Sequence, residues 1–437
     1  MTQAVLVKEF LMKLTVTMLL AGAILVSLSQ FTEASEQPGD PNSMVTLDDY
    51  LRYAELNNAE LKASFQGWKI AAEQIPQAKT LPDPKLTYAV ETRRSPSGQT
   101  FGIMQTFPWF GTIKARTDVA SAEEKAALKR YEAQKLKLFS EVKQAFFEYS
   151  YLARQVETAR QNLELSRHFE EVTRTRYAIS QTTHPDHIRA QIEAANAEYE
   201  VQRLESLQEP LVAKLNSILN RPAKTALPWP GKQEFKESKV SIAEITDTLL
   251  EENLELGAMQ MDIEAARGQV ELAKKKFYPE IDVGLDVLTQ SEATMGPGEQ
   301  PLFVKLGINL PIWTGSYSAQ ERQAMAKMEQ TYLQRTQLQN NLLSQAQKAF
   351  YEVEDSVRRV RLYKDTLIPR SREMLAAYEA SYRSGGADFL SLIDAQKTLI
   401  NAQLAYEKAV TENAQKVAEL EAIIGAQLPA AKKDSEK

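Results

Sequence analysis

The sequence predicts a mainly α fold with a transmembrane β part, in which a helix, hairpin, long helix and returning helix form one unit that occurs twice. Three observations carry that prediction. Two stretches of about 68 residues each keep a helical pattern, with one proline between them. Two pairs of short alternating segments interrupt the helices. Motifs of the first half also reappear, in the same order, about two hundred residues later.

The 437 residues include 52 Lys and Arg against 58 Asp and Glu, a formal net charge of -6, with 17 Gly, 18 Pro and no Cys. So few turn formers suit long helices. An acidic balance with no basic block longer than Lys274-Lys275-Lys276 argues against nucleic acid as the main partner. Without cysteine there are no disulfides, no thiol catalysis, no Cys-ligated zinc and no lipid-modified N-terminal cysteine. No phosphate loop, His-Glu-x-x-His or nucleophile elbow occurs, so neither an enzyme, a cofactor nor a metal centre is expected. Met259, Met261, Met325 and Met328 are spaced as packing residues.

In chain order, Lys8 and Lys13 precede an apolar run from Leu14 to Phe31, followed by Thr32-Glu33-Ala34-Ser35-Glu36 with no positive stop-transfer cluster. Residues 1–34 therefore read as an export signal and 35–46 as a linker. The first repeat spans 47–225 and the second 242–425, joined by a Pro-rich linker at 226–241; the tail at 426–437 is expected to be disordered. The pairs that define the repeat are Asn58-Ala-Glu60-Leu61 with Asn253-Leu-Glu255-Leu256, Phe107-Pro108-Trp109-Phe110 with Leu310-Pro311-Ile312-Trp313, and Ala145-Phe146-Phe147-Glu148 with Ala349-Phe350-Tyr351-Glu352.

Each half opens with a helix, Leu47 to Thr80 and Ile242 to Lys276. Prolines 82 and 84 stop the first. Strands follow at about 85–94 and 100–109, and at about 280–289 and 302–312. Val283, Leu285, Leu306 and Ile308 alternate with Asp282, Asp286, Lys305 and Asn309. A soluble sheet lying on a helix would alternate too, but the strand ends gather Phe107, Trp109, Phe110, Tyr278 and Trp313. Aromatic residues at one level mark the water interface of a membrane barrel. On that reading the aliphatic set meets lipid and the polar set faces a lumen. Four strands cannot close a barrel, and open edges in lipid leave backbone groups unsatisfied, so the chain must oligomerise.

The long helices run from Thr112 to Ile179 and from Ser316 to Arg383, roughly 100 Å each, with Pro369 expected to kink or divide the second. Returning helices run from about Asp186 to Asn220, with Pro210 expected to kink or end it, and from Phe389 to Ile424. The tip turns hold Thr183 and Pro185 in one half and Gly385 and Gly386 in the other. His184 and His187 flank Pro185, and a capped helix start explains them better than a metal site. One returning helix and one opening helix, end to end, match a long helix in length, which describes rods two helices thick. A coiled-coil stalk or adhesin would share these rods; the attached hairpins favour a helical tube continuing a barrel.

This order of parts resembles the outer-membrane efflux (TolC-like) family along essentially the whole mature chain. The resemblance rests on Gln105-Thr-Phe-Pro108-Trp-Phe-Gly111 paired with Asn309-Leu-Pro311-Ile-Trp-Thr-Gly315, and on Tyr382-Arg-Ser-Gly385-Gly-Ala-Asp388-Phe-Leu-Ser-Leu-Ile-Asp394-Ala395-Gln396. With Leu81-Pro-Asp-Pro84, the pattern looks most like the branch serving heavy-metal pumps. The resemblance implies a homotrimer with a twelve-stranded barrel in the Gram-negative outer membrane and a periplasmic helical tunnel. It also implies a periplasmic adaptor (membrane fusion) protein, an inner-membrane pump of the resistance-nodulation-division type, and a role as passive exit duct; a protein-secretion duct is the alternative. Family members close the tunnel at the tip turns with acidic rings, which here implies an aperture at Asp394, with Ser391 where a second acid is usual.

Overall fold

The structure is a computed structural model that describes residues 45–90, 99–233, 235, 237, 240–289 and 302–428. The export signal, most of the following linker, the outer parts of both hairpins and the tail beyond 428 lie outside the described residues. No helix among the described residues is long and apolar enough to cross a membrane.

The elements are α1 (Leu47–Asn57), α2 (Ala59–Lys79), β1 (Lys85–Val90), β2 (Gln99–Phe107), α3 (Thr112–Ala178), α4 (His184–Ser206), α5 (Gln208–Ile218), α6 (Ile242–Glu252), α7 (Leu254–Lys275), β3 (Ile281–Thr289), β4 (Leu302–Ile308), α8 (Thr314–Leu362), a π-helical turn (Tyr363–Leu367), α9 (Ile368–Ser384) and α10 (Phe389–Ile424).

Both opening helices are broken where the sequence suggested continuity. Asn58 and Asn253 have extended ψ values of 128° and 119°. Each caps the next helix through its side-chain oxygen, which accepts from Leu61 N at 2.9 Å and from Leu256 N at 2.8 Å. Each side-chain amide then donates to the end of the returning helix, at Ile218 O (2.8 Å) and Ile423 O (2.7 Å). One asparagine thus starts one helix and ties it to the end of another. This is the physical content of the repeated Asn-x-Glu-Leu motif. The returning helices finish at left-handed residues in equivalent places, Asn220 (φ 55°) and Gly425 (φ 82°), which release the chain and satisfy terminal carbonyls.

The helix α3 has 67 residues and is the spine. Towards the strands it packs between α2 and α7, with α8 beyond α7; towards the tips it packs between α4 and α10, with α8 and then α9 beyond α10. The result is a single layer of helices side by side, with free edges at α2 and α4 on one side and at α8 and α9 on the other. In the middle, Leu138, Val142, Phe146 and Tyr149 of α3 pack with Tyr50, Leu215, Leu219 and Leu227. The second half repeats this less deeply with Leu342, Ala346, Ala349, Leu420 and Ile424.

Prolines divide the remaining helices. Pro369 has no amide hydrogen and its ring crowds the preceding turn, and the chain widens into the π-helical turn just before it. Pro210 lies in the first turn of α5, just after the junction at Leu207 that separates α5 from α4.

The sheet has the order β1-β2-β3-β4, antiparallel throughout. The strands end earlier at their helical side than the sequence suggested, at Phe107 and Ile308 rather than 109 and 312. Pro108 and Pro311 cannot extend the ladder. The linker crosses the helices as a strap: Trp229 stacks on Tyr149 (5.1 Å between rings), the Tyr149 hydroxyl donates to Leu227 O at 3.1 Å, and Phe235 packs against Val360, Ala409 and Val410. Ala426 and Leu428, at the start of the expected tail, pack against the second core.

Candidate channel-lining and aperture residues

Register places the strand residues on two faces. Val283 lies opposite Leu306 and Leu285 opposite Val304, while Ile103 and Phe101 of β2 oppose Leu285 and Val287. Leu86 and Tyr88 continue this face onto β1. Val283, Leu285, Leu306 and Ile308 are all exposed, Leu306 to 76%. None of the described residues covers this aliphatic face, and burial in a lipid phase would satisfy it.

The opposite face carries Asp282, Asp286 and Lys305. The Thr106 hydroxyl donates to Asp282 Oδ1 at 2.5 Å, and Lys305 pairs with Asp286. Asn309 falls one residue beyond β4; its side-chain oxygen accepts from the Glu280 amide and closes the base of the β3–β4 hairpin. Its role is therefore to end the ladder as well as to extend the polar face. Among the aromatic residues, Trp109 stacks on Tyr278 (5.3 Å between rings, 11° between planes) with Phe110 edge-on at 5.7 Å, and Phe107 pairs with Ile281. Trp313 is 71% exposed at the start of α8.

At the far end, the first tip leaves α3 through left-handed Ser180, and Thr183 starts α4. Thr183 and Asp186 form a reciprocal capping box, with Pro185 in the first turn. Tyr177 lies between His184 and His187, at 5.2 and 6.0 Å. Among the described residues no group of three or more His, Cys, Asp or Glu could hold a metal ion. The second tip turns at Gly385 (φ 81°), and Gly386 N donates to Ser381 O at 2.8 Å. Asp388 caps α10 by accepting from Ser391 N at 2.9 Å, and these hydrogen bonds hold its carboxyl below the usual range.

Asp394 is exposed one turn further on, and Ser391 is half-buried on the same side of the helix. Their neighbours Leu392 and Ile393 are buried with Phe169, Tyr382 and Phe389. A link that the sequence did not announce joins the tips: Arg176 donates to Tyr382 O at 2.6 Å and lies 4.6 Å above its ring. An isolated arginine in an arginine-rich helix carries no sequence signal of such a role.

The profile of outer membrane efflux proteins matches residues 51–221 and 245–426, one match for each structural repeat. The cobalt-zinc-cadmium resistance protein CzcC of Cupriavidus metallidurans is 23% identical over 400 residues, covering 89% of this chain and 92% of its own. The alkaline protease secretion protein AprF of Pseudomonas aeruginosa is 24% identical over 289 residues, covering 64% and 60%. The open-state MtrE outer membrane channel of Neisseria gonorrhoeae superposes with a TM-score of 0.73 at 19% identity, covering 90% and 91%. With both repeats matched, and with a bare apolar hairpin face at one end of a layer of long helices, the chain belongs to the outer membrane efflux protein family, the channel proteins of the Gram-negative outer membrane.

Proposed function

We propose that three copies of this chain close a continuous passive duct, a twelve-stranded barrel followed by a helical tube, through which an inner-membrane pump of the resistance-nodulation-division type discharges small molecules or metal ions by way of a periplasmic adaptor. The observation that carries this reading is that the sheet and the helical layer are both open at their edges. Among the described residues β1 and β4 each lack an outer partner. Exposed Ile70, Ile192 and Tyr199 mark one edge of the helical layer, and Tyr332, Leu333 and Tyr351 the other. Unlike edges that meet head to tail close a ring, and closure removes unsatisfied strand edges from lipid. The match of both repeats to the outer membrane efflux profile supports a conduit.

The similarity to CzcC favours metal-ion cargo, and that to AprF supports a second reading, the outer component of a protein secretion system. Copurification of the chain from its native envelope separates them: an adaptor with a resistance-nodulation-division pump is expected, whereas an ATP-driven exporter would replace efflux by secretion. The aperture is assigned to Asp394, where three like charges around the axis would attract cations. In planar bilayers, Asp394→Ala should weaken block by divalent cations without harming assembly, and Ser391→Asp should strengthen it. Unchanged block in both would place the aperture elsewhere.

A further inference from the structure

Among the described strand residues, the polar face of the sheet carries Asp282, Asp286, Lys85 and Lys305, a formally neutral set that the fold presents unequally. Asp286 is 4% exposed, and no other charged residue among the described residues is buried as deeply, although it sits on a four-stranded sheet and not in the helical core. It lies flat across β2 because Gly102, directly opposite, has no side chain. A Cβ at Gly102 would overlap the Asp286 carboxylate and stand 2.6 Å from Thr87 Oγ1. Asp282 is half-buried, takes the Thr106 hydroxyl, and lies beside Gly307, where an added Cβ would come within 3.4 Å of Asp282 Cβ. The Asp286 carboxylate is therefore folded down over a glycine, and that of Asp282 is held by Thr106 beside another.

The ammonium groups stand up. Lys305 keeps 60% of its side-chain surface while pairing with Asp286. Lys85 is exposed at the start of β1, with no carboxylate within ion-pair distance among the described residues. The two share one cross-strand row, Lys85 opposite Met104, Met104 opposite Gly284, and Gly284 opposite Lys305. The exposed ammonium groups stand nearest the space in front of this face and the carboxylates lie deeper, so an ion there meets the ammonium groups at shorter range.

We propose that the barrel section of the duct presents a band of ammonium groups, Lys85 and Lys305 from each copy, that favours anions in the lumen, opposite in sign to the Asp394 aperture. The proposal rests on the barrel reading above, in which the polar face of the sheet lines the lumen. Cations gathered by the acidic aperture would then meet a zone that does not hold them, which favours release to the outside.

Because the natural chain has no cysteine, single-cysteine labelling is free of background. Lys85→Cys and Leu86→Cys are assembled in planar bilayers and exposed to a charged, membrane-impermeant thiol reagent, and reversal potentials in a KCl gradient are measured for Lys85→Gln, Lys305→Gln and Lys305→Arg. The expected result is a current change on labelling position 85 and none at position 86. The cation-to-anion permeability ratio should rise roughly two- to fivefold in Lys85→Gln and Lys305→Gln, and stay at the natural value in Lys305→Arg. If Lys305→Gln fails to assemble because it uncovers a buried acid, Lys85→Gln alone decides, since that lysine holds no carboxylate among the described residues. Labelling at 85 with an unchanged permeability ratio would overturn the ammonium band and leave the barrel standing. Labelling at 86 instead of 85 would overturn the barrel orientation itself.

Discussion

The first half keeps its outgoing helix whole and divides its returning helix, α3 against α4 and α5; the second half divides its outgoing helix, α8 and α9, and keeps its returning helix α10 whole. The difference follows proline. Pro210 and Pro369 sit at the breaks, while α3 and α10 contain neither Pro nor Gly. The features that recur in both halves are the capping asparagines Asn58 and Asn253, their bonds to Ile218 O and Ile423 O, and the left-handed ends at 220 and 425. The architecture thus depends on the joints, where helices must meet end to end, and tolerates a break at different points along the rods.

The largest effect that would sharpen this comparison lies in the two cores. Phe146 is 1% exposed, whereas its counterpart Phe350 is only partly buried at the margin of the second core. Phe146→Ala should cost about 3–5 kcal/mol and Phe350→Ala clearly less, measured as loss of heat resistance of the assembled oligomer. Equal losses would mean that the halves carry equal shares of the core. Next come the joints. Both 220 and 425 need a left-handed residue, worth about 1–2 kcal/mol, but a Cβ at Gly425 would also meet Glu252 O at 2.9 Å. Gly425→Ala should therefore destabilise more than Asn220→Ala; the reverse order would show that the close approach is easily relieved.

Helix order, the duplication, both tip turns and the alternation of the strands were legible because proline, glycine and hydrophobic period act locally. The breaks at Asn58 and Asn253 were not, since both segments keep helical periodicity on either side and the asparagine acts through a carbonyl about 160 or 170 residues away. The strand ends were overrun because the aromatic residues after Pro108 and Pro311 keep a strand-like composition while the prolines withdraw the amide. Asp286 was legible as a residue of the polar strand face but not as buried, since that depends on which residue, Gly102, stands opposite it. The Arg176–Tyr382 link between the tips is a tertiary accident of register that no local pattern encodes.

Two smaller effects follow. Pro369→Ala restores an amide within a continuous rod and should raise hydrogen-exchange protection across 363–369. Pro210→Ala should do less around 206–210, because amides in a first helical turn lack intrahelical partners anyway. A π-helical turn that persists in Pro369→Ala would have a cause other than proline. The second tip is capped by a carboxylate whose pKa is lowered from 3.8 by its hydrogen bonds with Ser391. Its contribution is present above that value and is lost as pH falls through the lowered one. Exchange at the start of α10 should therefore quicken on acidification below about pH 4, and Asp388→Asn should flatten this response; an identical pH profile in the variant would show that the cap plays no part.

The mass of the folded, detergent-extracted particle, measured by sedimentation without added metal or reductant, tests the central account most directly. The open-edged sheet and helical layer need further copies of the chain to close, and the proposed duct has three, so one stable particle of three chains is the expected result. A chain that stays folded as a monomer in detergent or lipid would contradict it, because β1 and β4 would then stand unpaired in an apolar phase.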